Sequence, residues 1–243
     1  MRLHLLLPAF FALNCAHSVV PGSGDPQANE QSVSALRDPS SSSHAAYDSV
    51  VTISGAIVTD LKTAGHTHGF FVQDPKGTSW AGVYVFVGTA DAGVSIGDVV
   101  TVSGTYKLYA GLDEIDVQAG SVSVTDSASR PKPIDVSIGD IVDGAPHQLE
   151  WQSLLLRVHD VTIVSGSIQS DAFQVSDGDT SLVVTSYVIN DTGPLPFDAV
   201  DGDTFQSIVG HGYATTARRS RPDRPAISFT ESADRAKATR RAA

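Results

Sequence analysis

The chain has 243 residues, 41% hydrophobic and 18% charged, and its 16 Lys and Arg against 27 Asp and Glu give a formal net charge of −11. That balance disfavours generic attraction to duplex phosphates, and the single Cys excludes a disulfide framework or a Cys-based zinc cluster. Twenty-one Gly and 12 Pro, set among many Ser, Thr and Val, predict short strands rather than helices.

Residues 1–18 begin with Arg2 and continue with an apolar run from Leu5 to Leu13. The run is too short to span a bilayer but suits the central segment of a secretory signal. Cys15 follows at once, and Ala12-Leu13-Asn14-Cys15 resembles the end of a bacterial lipoprotein signal, with Asn14 departing from the usual pattern. That resemblance implies lipidation of Cys15, export, and anchoring to an outer membrane or cell surface. The alternative is an ordinary signal peptide cut near Ala16–Ser18. Residues 19–47 lack periodicity and are rich in Pro, Gly, Ser and Asn, which predicts a disordered linker.

From residue 48 onward, period-2 alternation is cut repeatedly by turn signals. Strands are predicted at 51–57, 69–75, 82–87, 99–104 and 114–117. Arg130 and the two prolines after it close this unit, and residues 131–149 are read as a connector. The plan then repeats, with 154–158 and 161–164 together standing for a first strand, followed by 172–178, 182–184 and 205–210. The offset is 103 residues between Asp74 and Asp177 and 106 between Gly104 and Gly210, so the two halves are an internal duplication. Residues 218–243 turn basic, with 8 Lys and Arg against 3 Asp and Glu; a last strand is predicted near Ile227–Phe229 and a basic tail at 231–243.

Five short strands with glycines at the bends suit a small barrel. The runs GFFVQDP, GVYVFV and GDVVTVSGTYKLYAGLDEI resemble the OB-fold-like domain that accompanies bacterial extracellular nucleases, found also in tandem in exported lipoproteins. The resemblance covers residues 48–125 well and 150–230 more loosely, because ATTARRSRPDRPAISF replaces the hairpin from Tyr106 to Leu112 in the second copy. The expected fold is therefore all-β: two tandem five-stranded OB-like barrels, at 48–130 and 150–230, behind a signal peptide and a disordered linker.

Catalytic chemistry finds little purchase. Asp74, Asp98, Asp140, Asp177, Asp179, Asp201 and Asp203 sit where turns need them. Calcium is the alternative at 177–179 and 201–203, but neither continues as an EF-hand loop. His66 and His68 lack a visible third zinc ligand, and no nucleophile elbow or phosphate loop is present in the sequence. No enzyme activity, metal or cofactor is expected.

What remains is a surface. If Phe70 and Val72 point inward, Phe71 and Gln73 point outward, and Tyr84 and Phe86 face the same side from the next strand. Tyr106, Lys107 and Tyr109 are placed in the loop between the fourth and fifth strands. OB barrels bind ligands on this face and through these loops, so the rings could stack on bases or sugars; alternatively they pack under a loop, the tail or the second barrel. The expected function is a non-catalytic envelope lipoprotein that binds a partner protein or polymer. The resemblance implies single-stranded nucleic acid as the alternative ligand.

Overall fold

The computed structural model describes residues 30–186, 195, 197–213 and 226–229. Strands β1 (Glu30–Gln31), β2 (Val50–Lys62), β3 (His68–Gln73), β4 (Gly82–Gly88), β5 (Asp98–Tyr109) and β6 (Leu112–Ser127), with helix α1 (Val33–Arg37), form a first unit. Strands β7 (Ile134–Asp135), β8 (Leu155–Gln169), β9 (Ala172–Ser176), β10 (Ser181–Thr185), β11 (Thr204–Tyr213) and β12 (Ala226–Phe229), with helix α2 (Ile138–Ile141) and a 3-10 turn at Gln148–Trp151, form a second.

Pairing in the first unit runs β2-β3-β4-β6-β5 and returns to β2; in the second it runs β8-β9-β10-β12-β11 and returns to β8. Each ring holds one parallel pair, β4 with β6 and β10 with β12. The same Greek-key order thus occurs twice, and the fold is all-β and OB-like, as the alternation predicted.

Alternation decides which side chains form each core. Phe70, Val72, Val83, Val85, Val100 and Val102 are fully buried inside the first ring. Phe173, Val175, Leu182 and Val184 repeat the arrangement in the second. The strands are longer than their apolar runs because they bend rather than stop. In β2 the register shifts between Ser54 and Ala56, where Gly55 takes a φ of +74° that a side chain would strain. In β8 the two predicted segments are one strand, through Asp160 at a φ of +51°.

Two expectations are corrected. Residues 30–47, expected within the disordered linker, are ordered. β1 pairs in parallel with β2, and Val33 and Leu36 of α1 are buried in the first core. The Ser32 hydroxyl accepts from the Ala35 amide at 3.1 Å. The Asp74 carboxylate accepts from the Val33 and Ser34 amides at 2.9 and 2.8 Å. Asp74 therefore caps a helix, where the sequence suggested only a turn. A five-residue helix with two apolar anchors shows no periodicity, which is why composition alone read it as linker. Residues 131–149 are likewise more than a connector. β7 pairs in parallel with β8, and Ser137 with Asp140 forms a capping box on α2. A short strand and a capped helix thus precede each barrel.

The segment read as a signal, with Cys15, the first part of the expected linker and the basic tail lie outside the described residues.

Candidate ligand-binding cleft

The outer face of the first ring carries a cleft of about 340 Å³. Phe71 reaches it from β3, Tyr84 and Phe86 from β4, Lys107 and Tyr109 from β5, and Leu112, Glu114 and Asp116 from β6. Lys62 and Thr67 border it at the β2–β3 connection, and Tyr213 enters from β11 of the second unit. Alternation explains the set: with Val72, Val85 and Ile115 turned inward, the neighbours Phe71, Tyr84, Phe86, Glu114 and Asp116 must turn outward. Register then brings them together, since Phe71 faces Tyr84 and Tyr84 faces Glu114 across adjacent strands.

Gly69 shapes the wall. A Cβ there would collide with the Tyr84 hydroxyl and with the Val85 carbonyl, so glycine lets the Tyr84 ring lie across β3. Phe71 and Tyr84 then sit 5.0 Å apart, centroid to centroid.

The second unit covers one end of this face. The imidazole of His211, on β11, stacks on Phe71 at 4.2 Å with the planes 17° apart. The Thr59 hydroxyl donates to the Phe71 carbonyl at 3.2 Å and meets His211 Nε2 at 3.0 Å. His211 is fully buried. Burial, followed by the positive Arg130, holds its pKa down at about 3, so it is neutral. Asp60 Oδ2 lies 3.9 Å from its Nδ1. That carboxylate is itself paired with Arg130 at 3.4 Å, so its pull on the imidazole is largely cancelled.

The charged groups in the cleft are mostly committed. Lys107 Nζ is 2.6 Å from Asp116 Oδ2, and this contact raises the lysine pKa. On Asp116 burial acts upward, but the Lys107 hydrogen bond and the Gln118 amide together hold the carboxyl below its usual range. Lys62 Nζ donates to the Ala64 and Thr67 carbonyls, both at 2.8 Å. Glu114 differs. It is 6% exposed, and burial, with Asp116 nearby, pushes its pKa up to about 7.

Five of the seven predicted site residues therefore meet in one cleft: Phe71, Tyr84, Phe86, Lys107 and Tyr109. Phe71 and Tyr84 are nevertheless buried, and only Phe86 and Tyr109 leave ring area open. The other two are elsewhere. Tyr106 is not in a loop, because β5 continues to Tyr109 and the turn is Ala110-Gly111. Its side chain points into the first core, with its ring 5.1 Å from that of Tyr47. Gln73 is buried against the second unit, where its Oε1 accepts from the Leu155 amide at 3.2 Å. Sequence reasoning missed Lys62, Glu114 and Asp116. The alternation along β6 could have placed the two carboxyls beside Tyr84 and Phe86, whereas Tyr213 carries no such signal.

Among the described residues the second barrel shows no such surface. Gln174 and Val183 pair as Phe71 and Tyr84 do in the first, so these two strands do not repeat the aromatic pair. The aspartates weighed for calcium serve the backbone. Asp177 Oδ1 accepts from the Asp179 and Thr180 amides, and Asp201 Oδ1 accepts from the Gly166 amide. Among the described residues no three His, Cys, Asp or Glu side chains gather as a metal site.

No family model matches the chain, and no curated protein matches its sequence. Similar solved structures include the Ifi202 HINa domain in complex with 20 bp double-stranded DNA, with a TM-score of 0.37, 14% identity, and coverage of 76% of this chain and 93% of that one. A murine DNA-binding protein bound to double-stranded DNA is another, with a TM-score of 0.39, 10% identity, and coverage of 74% and 90% respectively. The OB-like fold implied by the GFFVQDP resemblance rests on the strand order itself.

Proposed function

We propose that this protein is a non-catalytic binding protein that takes a segment of a polymer into the cleft of its first barrel. The observation that carries this reading is the cleft itself. It is concave and walled by Phe71, Tyr84, Phe86, Tyr109 and Tyr213, and it lies on the face where OB barrels bind their ligands. In this reading the second barrel is a buttress, covering Phe71 and supplying Tyr213, rather than a second binding module.

Single-stranded nucleic acid is the second reading, favoured by the approach of Lys62 and Lys107 to the stacking rings. Phe86→Ala and Tyr109→Ala test both at once. Each ring that stacks on ligand contributes about 1–3 kcal/mol, so each variant is expected to weaken binding about 5- to 150-fold. The measurement is a titration of the full chain with labelled oligonucleotides and oligosaccharides, followed by the variants. Undiminished affinity in both variants overturns the cleft as the binding site.

The same proposal places the protein in a bacterial envelope, anchored through a lipid on Cys15. Cells fed labelled palmitate should label the wild type and leave Cys15→Ser unlabelled; label retained by the variant sinks the anchor.

A further inference from the structure

Glu114 is the group in the cleft that the fold leaves unanswered. It lies on β6 between Leu112 and Asp116 on the outward face, with Tyr84 and Lys107 as its cross-strand neighbours. The residue is 6% exposed, and it lines the cleft. Asp116 has Lys107 at 2.6 Å, whereas among the described residues no hydrogen bond reaches the Glu114 carboxyl. The carboxyl opens onto the cleft rather than being sealed in the fold, so a ligand entering there can donate a hydrogen bond to it.

Charge narrows the ligand. Two lysines and two carboxyl groups border the cleft. Lys107 is committed to Asp116, and Lys62 donates to two backbone carbonyls. A phosphodiester would bring negative charge and acceptors to a pocket whose open group is a carboxyl. A sugar ring brings no charge, a C–H face that suits the negative face of an aromatic ring, and hydroxyls that both donate and accept.

We propose that the cleft of the first barrel binds an uncharged oligosaccharide, one ring lying against Phe86 and Tyr109 and its hydroxyls hydrogen-bonding the Glu114 carboxyl. The inference rests on the cleft reading and adds the ligand class. Burial supports it further, because a carboxyl held near pH 7 is half protonated there and serves a hydroxyl as donor or acceptor.

The test is calorimetric titration of the full chain with neutral tetrasaccharides, cellotetraose and chitotetraose, beside a twelve-residue oligothymidylate. At least one tetrasaccharide is expected to bind with a Kd of about 10 μM to 1 mM, little changed between about 50 and 500 mM salt. Phe86→Ala should weaken it at least about fivefold. Glu114→Leu should weaken it about tenfold or more, and Glu114→Gln by a smaller factor, because the amide still hydrogen-bonds a hydroxyl. No tetrasaccharide binding up to about 5 mM overturns the inference. If the oligothymidylate then binds in a way that Phe86→Ala weakens and Glu114→Gln strengthens, the sugar class falls while the cleft stands. Tetrasaccharide binding indifferent to both Phe86→Ala and Glu114→Leu overturns the cleft and the sugar inference together.

Discussion

Replacing Arg37 by alanine is expected to lower the unfolding free energy of the full chain by about 3–5 kcal/mol. The side chain is fully buried, and all five of its N–H donors are used. Nε donates to Asp113 Oδ2 at 2.9 Å. One terminal nitrogen donates to the Gly82 and Gln152 carbonyls at 2.8 and 3.1 Å. The other donates to the Leu149 carbonyl and to Gln152 Oε1, both at 3.1 Å. Asp113 belongs to β6 of the first barrel, while Leu149 and Gln152 lead into the second, so a single guanidinium holds α1 and both units together. Trp80 lies under it at 5.5 Å.

Truncation leaves the buried Asp113 charge without its guanidinium, keeping the Tyr47 hydroxyl at 2.9 Å, and strips buried carbonyls of their donor. The penalty therefore exceeds that of an ordinary surface arginine. Arg37→Lys should be intermediate, since one ammonium can meet Asp113 but cannot reproduce the planar fork. Urea unfolding at pH 7 measures both. A loss below about 1 kcal/mol for Arg37→Ala would show that the two units do not depend on this contact.

Acid should weaken the protein through His211. The folded pKa of about 3 lies below the ordinary value of 6.5, so between those values the unfolded chain binds a proton that the folded chain does not. Stability from this group is present above about pH 6.5 and is lost as pH falls toward 3, with a slope approaching about 1.4 kcal/mol per pH unit in mid-window. Protonation would place a second N–H in a site where Nδ1 has no hydrogen-bond partner among the described residues. The nearest carboxylate, Asp60, is 3.9 Å away and already paired. His211→Phe keeps a ring to stack on Phe71 and removes the titration, so its stability should vary less between pH 7 and 4. The comparison is a set of urea melts of both proteins across that range. Parallel profiles would mean that His211 does not control the acid response.

Much of this architecture was legible in the chain. Period-2 alternation placed Phe70, Val72, Val83 and Val85 in a core and turned Phe71, Tyr84 and Phe86 outward, because a strand offers a side chain only two directions. Near-constant spacing between like motifs exposed the duplication, and the turn residues marked where strands end. The aromatic part of the site followed from the same logic. Glu114 and Asp116 would have followed too, had the alternation of β6 been carried onto the outer face.

Local pattern could not show what the two units do to one another. Sequence assigned Phe71 and Gln73 to an outer face, and they are on it, yet His211 and Leu155 of the second unit cover them. Nothing near Arg37 in the chain announces that its partners lie 76, 112 and 115 positions away. The order in residues 30–47 arises in the same way, since α1 is too short to hold itself together and is fixed by Asp74 and by the core beneath it. The sequence by itself determined strand identity, side-chain direction and repetition, which are properties of neighbouring residues. The tertiary structure alone decided which outward face stays open, which short segment is ordered and which carboxyl lies buried on the cleft, because burial and hydrogen bonding depend on residues far apart in the chain.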